Sequence, residues 1–294
     1  MKKQHIAYAL RVLLAGINSQ KHTLVVAIML FSGMAMANTP LASQKQIGMF
    51  INSTTCVVLE NGPDPYNAYI KDAVEKHWKS TPYEFIDATE FEKRRFDSKY
   101  SFLVLMKNVF GMDPGGVSYN YVSLVLGDKS QDMTNMPELC SIPLLYSDDA
   151  SLNYSYAIPA IVKFVQIHAR NLEKKRFLIS LSGLSYYNSS GFQDKELLIL
   201  KDNLAPEANS SEKIKDSYPN FVKLLSAEEM RKAVEANPKN ALFLLHVGPS
   251  KSMSAGKCFE MIFDVDGNLY YYNSRRITND DPDGFRLMDF RHIR

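Results

Sequence analysis

Hydrophobic and polar positions follow the same succession twice along the chain. Residues 83–105 run from a short apolar stretch through Asp87-Ala-Thr-Glu90, which has the form of a helix N-cap with a capping glutamate, into a polar helical stretch and then an apolar run. Residues 222–244 repeat this succession, with Ser226-Ala-Glu-Glu229 at the capping positions. Short apolar runs after a helix are typical of strands that are buried on both faces. Each copy is therefore predicted to contain a strand, a helix and a second strand.

The two copies are separated by 139 positions (227 − 88, from Ala88 to Ala227), and the ungapped alignment extends in both directions. Upstream, the same offset of 139 positions places the apolar run at 56–60 within one position of the apolar run at 196–200. Downstream, both copies show the same every-other-residue pattern, carried by Val122, Leu124 and Leu126 and by Met261, Phe263 and Val265. We predict an α/β fold of two tandem strand-helix-strand-helix-strand-hairpin units, an internal duplication with mostly parallel sheets.

Residues 151–176 join the two units. Their apolar positions share one helical face, formed by Ile158, Ile161, Val162, Val165 and Leu172. Because such a face has to be buried, we expect this connecting helix to dock the units together rather than to act as a flexible linker. The predicted organisation is a first unit at 38–150, a connecting helix at 151–176 and a second unit at 177–294.

The N-terminal segment predicts export. An uncharged apolar stretch at 24–34 follows a basic flank and precedes Ala-Met-Ala, which is the layout of a secretory signal peptide. We predict a signal peptide at 1–37 with cleavage after Ala37, and hence a periplasmic or secreted protein. The alternative is an uncleaved N-terminal anchor, which a second apolar stretch at 7–17 favours. In that case the chain would contact a membrane only through this segment.

Charge and cysteine content narrow the function classes. With 34 basic and 32 acidic residues, the net charge is +2, which provides no bulk attraction to nucleic acid. The three cysteines, Cys56, Cys140 and Cys258, are fewer than a disulfide-stabilised exported domain usually carries, and no two of them have metal-ligand spacing. We interpret them as buried structural thiols and predict no metal. A bridge between Cys56 and Cys258 stays open.

Two short motifs suggest cofactor sites but depart from the required patterns. The segment 248–258 resembles a phosphate-binding loop, but Lys251 stands where the first glycine is required and Cys258 replaces the serine or threonine. Residues 264–268, DVDGN, resemble a calcium loop but lack the third acidic ligand and the closing glutamate. A loop and a hairpin turn explain these segments better. We therefore predict no cofactor.

A few polar residues follow predicted strands, where open α/β sheets bind their ligands. Four of them come after the first strand, namely Glu60, Asn61, Asp64 and Tyr66. His246 ends a central strand of the second unit, and Lys107 occupies the corresponding position of the first unit. These six residues are the predicted ligand-binding surface. No serine elbow, HExxH or paired-cysteine motif accompanies them, so the sequence identifies no catalytic residue.

The layout also resembles a group of bacterial proteins. The segment AMANTP at 35–40 and the stretch YNAYIKDAVEKHWKSTPYEFIDATEFE at 66–92 are similar to uncharacterised exported proteins of Bacteroidota-type bacteria. The resemblance covers most of the chain after the export segment. It implies export and transfers no site residue.

Two functional hypotheses follow. Tyrosine clusters at 119–121, 154–156, 186–187 and 270–272 favour an interaction surface, because tyrosine offers flat area with a polar tip. The first hypothesis is therefore a non-enzymatic envelope protein in which two docked units present a surface to a protein partner. The second is a periplasmic small-ligand-binding protein or hydrolase that uses the strand-end residues.

Overall fold

The computed structural model describes residues 40–109, 117–147, 149, 151–189, 192, 194–249 and 255–293. The predicted signal peptide and its cleavage point lie outside these residues, as does part of the segment 248–258. All described residues belong to one compact unit. Within these ranges, no helix combines the length and the apolar character that a membrane crossing requires.

The described chain contains seven α-helices and ten strands. The first half consists of α1 (Gln44–Ile51), β1 (Thr54–Val58), α2 (Pro65–His77), β2 (Tyr83–Ile86), α3 (Ala88–Arg94), β3 (Tyr100–Val109), β4 (Ser118–Leu126) and β5 (Glu138–Tyr146). A long helix, α4 (Ile158–Ser182), occupies the place predicted for the connecting helix and is kinked at Lys175. The second half consists of β6 (Glu196–Leu200), α5 (Ser211–Ser217), β7 (Val222–Leu225), α6 (Ala227–Glu235), β8 (Ala241–Val247), β9 (Lys257–Asp264), β10 (Leu269–Arg276) and α7 (Leu287–His292).

The strands form two five-stranded sheets with the same order and the same directions. The first sheet has the order β2-β1-β3-β4-β5 and the second β7-β6-β8-β9-β10. In each sheet the first three strands pair in parallel, and the remaining pairings are antiparallel. The fold is therefore α/β with mixed sheets. The prediction of mostly parallel sheets holds for only two of the four pairings in each sheet.

The predicted helix caps form in both halves. The Asp87 carboxylate accepts a hydrogen bond from the backbone N–H of Glu90 at 2.8 Å. Ser226 and Glu229 form a reciprocal capping box. These side chains satisfy N–H groups that the first turn of a helix leaves without partners. The local chemistry of the sequence therefore determines where α3 and α6 begin.

Helix α1 has no counterpart in the sequence-based prediction, whereas β4 and β5 form the antiparallel pair predicted as the hairpin of the first unit. Helix α1 begins at a capping box formed by Ser43 and Gln46. Strand β5 contains Pro143, but it lies at the edge of its sheet, where proline is tolerated. The connection between β4 and β5, residues 127–137, is longer than a tight hairpin turn.

One hydrophobic core lies between the two sheets and includes α4. It contains Val57 and Leu103 of the first sheet and Phe243 and Phe263 of the second. All five residues predicted for the apolar face of the connecting helix are buried in it. Smaller clusters cover the outer faces, with α3 on the first sheet and α5 and α7 on the second. The helix that joins the halves therefore packs them together, as expected from its pattern.

The two halves contribute different faces to this shared core. Helix α2 packs inside it, whereas α5, which follows the first strand of the second half, packs on the outer face. The strand register differs in the same way. Leu103 pairs with Leu124, but Leu242, 139 positions after Leu103, pairs with Asp264, 140 positions after Leu124. The ungapped alignment of β4 with β9 is therefore wrong by one residue.

The cysteines are buried and free. Burial, and then the charge of Glu84, raise the pKa of the Cys56 thiol to about 11. Burial raises the pKa of Cys140 in the same direction. Cys56 belongs to the outer cluster of the first sheet, and no bridge joins it to Cys258. These thiols behave as small apolar side chains.

Candidate functional site

The residues predicted after β1 gather at the N-terminus of α2. Asp64 is the N-cap of this helix and accepts a hydrogen bond from the backbone N–H of Tyr66 at 2.9 Å. Asn67 closes the loop through two 2.8 Å hydrogen bonds to the backbone of Glu60. Burial, and then the charge of Asp64, raise the pKa of Glu60. Tyr66 is buried and Asn61 is exposed. These residues build the strand-to-helix loop.

Lys107 and His246 lie in different surroundings. Lys107 is an exposed residue of the β3–β4 hairpin and pairs with Asn120 across it. His246 lies near the carboxyl end of β8, and its side chain is only 6% exposed. Of the six predicted residues, His246 is the one that lines the cleft described next.

A cleft of about 380 Å³ opens at the carboxyl ends of β6 and β8. Its walls come from both halves of the chain: the end of β5 and the segment before α4 face the strand ends and the loop before α7. The polar lining residues are Tyr146, Asp149, Ser151, Asn153, Tyr154, Asp202, Asn203, His246 and Asp283. Open α/β sheets ordinarily bind ligands at this position.

His246 and Asp283 form a buried pair in the wall of the cleft. Nε2 of His246 and Oδ1 of Asp283 are 2.9 Å apart, and each side chain is 6% exposed. An ionised carboxylate only accepts hydrogen bonds, so this contact places a proton on Nε2 of the imidazole. Nδ1 is buried and has no hydrogen-bond partner among the described residues. The pair therefore holds the imidazole through one nitrogen.

Two features of the neighbouring backbone position Asp283. A Cβ atom at Gly248 would overlap the Asp283 carboxylate, so the glycine provides the space that this side chain occupies. Arg275 holds the loop around Asp283 by donating from Nη2 to the carbonyl oxygens of Pro282 at 2.9 Å and Gly284 at 2.7 Å. The carboxylate is therefore fixed by the shape of the loop as well as by His246.

Buried ionisable side chains lie next to the His246–Asp283 pair. Glu260 pairs with His246 across the β8–β9 ladder and is fully buried. Burial, and then the charge of Asp289, raise the pKa of Glu260 to about 7, although His246 acts in the opposite direction. Asn273 donates to Oε2 at 3.0 Å, but Nε of Arg275 is 3.7 Å from Oε1, too far for a hydrogen bond. Glu260 is therefore a weakly compensated buried carboxyl.

Helix α7 closes over these buried side chains. Arg286 donates to both carboxylate oxygens of the buried Asp289, at 2.7 and 2.9 Å, and to Asp281 at 2.6 Å. Burial alone would raise the pKa of Asp289, but the hydrogen bonds and charge of Arg286 bring it below its usual range. These contacts tie the helix to the loop that carries Asp283.

The charged side chains of the lining are acidic. Asp149, Asp202 and Asp283 face the cleft, and its described lining contains no lysine or arginine. Burial, and then the charges of Asp64, Tyr69 and Asp149, raise the pKa of Tyr154 to about 12, so its hydroxyl remains a hydrogen-bond donor. The cleft therefore offers carboxylates, two amides and phenols to a ligand.

The geometry favours binding over nucleophilic catalysis. Ser151 of the lining donates its hydroxyl proton to Asp149 at 3.0 Å rather than to His246. Across the described ranges, no group of three or more histidine, cysteine, aspartate or glutamate side chains is arranged to hold a metal ion. The contacts that the described lining offers to a ligand are hydrogen bonds and charge pairing.

Sequence reasoning identified His246 but missed the other residues of the cleft. Asp202 and Asn203 lie two and three positions after the end of β6, so the search for polar residues after a strand, as applied after β1, would have found them. Asp283 has no such indication, because it reaches His246 from a loop 37 positions away (283 − 246). Comparisons of the chain with protein-family models, with curated proteins and with solved structures find no match.

Proposed function

We propose that the protein binds a small, positively charged ligand in the strand-end cleft. The observation that carries this proposal is the presence of Asp149, Asp202 and Asp283 around one cleft whose described lining contains no lysine or arginine. A cationic ligand would offset the repulsion among these carboxylates. The cleft volume of about 380 Å³ lies within the range of small-molecule sites, roughly 300 to 1,000 Å³.

Aromatic and amide groups suit the same ligand class. Tyr146 and Tyr154 line the cleft, and aromatic rings attract ammonium groups, while Asn203 provides a hydrogen-bonding amide. The contact with His246 keeps Asp283 in a fixed position, which reduces the entropy lost when a ligand binds. The proposal is therefore an amine-binding protein rather than a hydrolase.

The alternative hypothesis, an envelope protein that presents a surface to a protein partner, has less support. Four tyrosines of the predicted surface clusters are at most 8% exposed, namely Tyr119, Tyr121, Tyr154 and Tyr156. Tyr119 joins the sheets, because its hydroxyl accepts from the backbone N–H of Lys257 at 2.8 Å and donates to the carbonyl of the same residue at 2.6 Å. Export stays a proposal that rests on residues 24–37.

We also propose that the two halves arose by duplication of one α/β unit. The identical strand order and directions support this, as does the distance of 139 positions between the N-caps Asp87 and Ser226 (226 − 87). Because the halves pack through different faces, only one of them contributes a central strand end to the cleft. The site would then be a property of the pair rather than of the ancestral unit.

The test is thermal unfolding of the purified protein with a panel of defined small molecules. Putrescine, choline and lysine represent cations, glucose a neutral ligand and citrate an anion. A ligand present at 100 times its Kd stabilises the folded state by about 2.7 kcal/mol. We expect a rise in Tm with at least one cation. The rise should be lost in Asp202→Asn and retained in Glu235→Gln, which changes an exposed carboxylate on α6.

The outcome can contradict the proposal in two ways. Stabilisation by citrate or glucose but by none of the cations would show that the charge argument is wrong. Stabilisation by a cation that Asp202→Asn leaves unchanged would place the ligand elsewhere.

A further inference from the structure

Helix α4 ends in an exposed apolar turn. After the kink at Lys175, Phe177 and Leu181 are each 71% exposed and Leu178 is 50% exposed. Ile179 of the same turn is buried, so the turn already packs one side against the domain. Grouped exposed apolar side chains mark interaction sites. We refer to Phe177, Leu178 and Leu181 as the α4 patch.

Basic residues flank the α4 patch. Arg170, Lys174 and Lys175 are exposed on the same helix, and Glu173 is the single acidic residue of α4. Lysine next to phenylalanine and leucine is the composition of helices that lie in the interface of a membrane with anionic lipid. The lysine stems can lie along apolar surface while the ammonium groups stay at headgroup level.

The first described residues of the chain contact the same end of α4. Arg176 donates from Nε to the carbonyl oxygen of Ala42 at 2.7 Å and from Nη2 to that of Leu41 at 3.3 Å. These contacts hold the end of α4 that carries the patch against the start of the described domain.

We propose that the α4 patch rests on a lipid bilayer with anionic headgroups. Phe177, Leu178 and Leu181 lie at the acyl boundary, and Lys174 and Lys175 lie at the level of the phosphates. The cleft is lined by residues just before the N-terminus of α4, and the patch is at its C-terminus. The cleft and the patch therefore lie at opposite ends of this 25-residue helix.

The test measures the depth of a reporter tryptophan in the full chain. Phe177→Trp adds a second tryptophan to Trp78, which is 5% exposed and inside the core. The matched control is Phe221→Trp, since Phe221 is 74% exposed next to β7 at the edge of the second sheet. Each variant is mixed with vesicles of phosphatidylcholine and phosphatidylglycerol, with and without brominated acyl chains that quench nearby tryptophan.

We expect brominated lipid to quench about half or more of the Phe177→Trp emission and to leave Phe221→Trp unchanged. Removing two charges with Lys174→Ala and Lys175→Ala should weaken the part of the affinity that depends on phosphatidylglycerol by roughly 30-fold. The proposal is overturned if the chain sediments with vesicles while Phe177→Trp is not quenched, or if the chain does not bind vesicles. It is also overturned by a blue shift that grows with protein concentration without lipid, which would identify a second copy as the occupant.

Discussion

Replacing Glu260 by glutamine removes a buried ionisable group without changing its size. The carboxyl is fully buried, and its pKa is raised from 4.5 to about 7, first by burial and then by Asp289. Glutamine can still accept the hydrogen bond from Asn273. The substitution therefore tests the charge of this position rather than its packing.

The sign of the effect follows from proton binding. Below pH 4.5 the glutamate is protonated in both the folded and the unfolded chain. Between pH 4.5 and about 7 only the folded chain keeps the proton, so the free energy of unfolding falls as the pH rises. Above pH 7 the loss is complete and amounts to roughly 3 kcal/mol. Glu260→Gln should be about as stable as the parent protein at pH 4.5 and more stable by up to roughly 3 kcal/mol at pH 8.

Urea unfolding followed by far-ultraviolet circular dichroism at pH 4.5, 6, 7 and 8 measures this difference. The control is Glu235→Gln, which removes an exposed carboxylate and should give no comparable trend with pH. Parallel stability curves for Glu260→Gln and the parent protein would refute the reasoning. They would mean that Arg275, although 3.7 Å away, compensates the ionised carboxylate fully.

Two further substitutions test the packing around the cleft and between the sheets. Gly248→Ala places a methyl group where the Asp283 carboxylate lies, so we expect a loss of about 1–3 kcal/mol in urea unfolding together with loss of amine-induced stabilisation. Gly48→Ala is its control: it lies in α1 with open space around it and should not destabilise, which would distinguish overlap from a general effect of alanine. Tyr119→Phe removes two hydrogen bonds to the backbone of Lys257 and should cost about 1–3 kcal/mol. The same change at Tyr83, which is 37% exposed, should cost little, and equal losses at both positions would contradict the role of Tyr119.

Local patterns predicted the elements whose chemistry is complete within a few residues. The caps at Asp87 and Ser226 are of this kind, because each needs only its own side chain and the next turn. The hairpin predicted a strand after β4, but the pattern did not indicate the bounds of β5, because Pro143 is unfavourable inside a sheet and only the position of β5 at an edge makes it acceptable. An edge position is not visible in a single strand.

Register and long-range pairing explain the remaining differences. Leu124 and Phe263 occupy equivalent positions in the alignment of the two halves, and α2 and α5 are equivalent helices. Leu124 belongs to the same hydrophobic cluster as α2, whereas Phe263 and α5 belong to different clusters. A shift of one residue reverses the face of every side chain in a strand, and hydrophobicity on both faces hides the shift. The expectation that ligands bind where strands end identified His246. Nothing near His246 in the sequence indicated Asp283, because only the folded loop brings the two side chains together.

The measurement that tests the central claim most directly is an NMR titration of the isotope-labelled protein with putrescine and with choline. We predict chemical-shift changes that centre on Tyr154, Asp202, Asn203 and His246, including the imidazole Nε2–H that faces Asp283. Asp202→Asn should weaken the response, because it removes a carboxylate from the lining. Changes confined to residues outside the cleft, or no change with either amine at millimolar concentration, would contradict an amine-binding site at these strand ends.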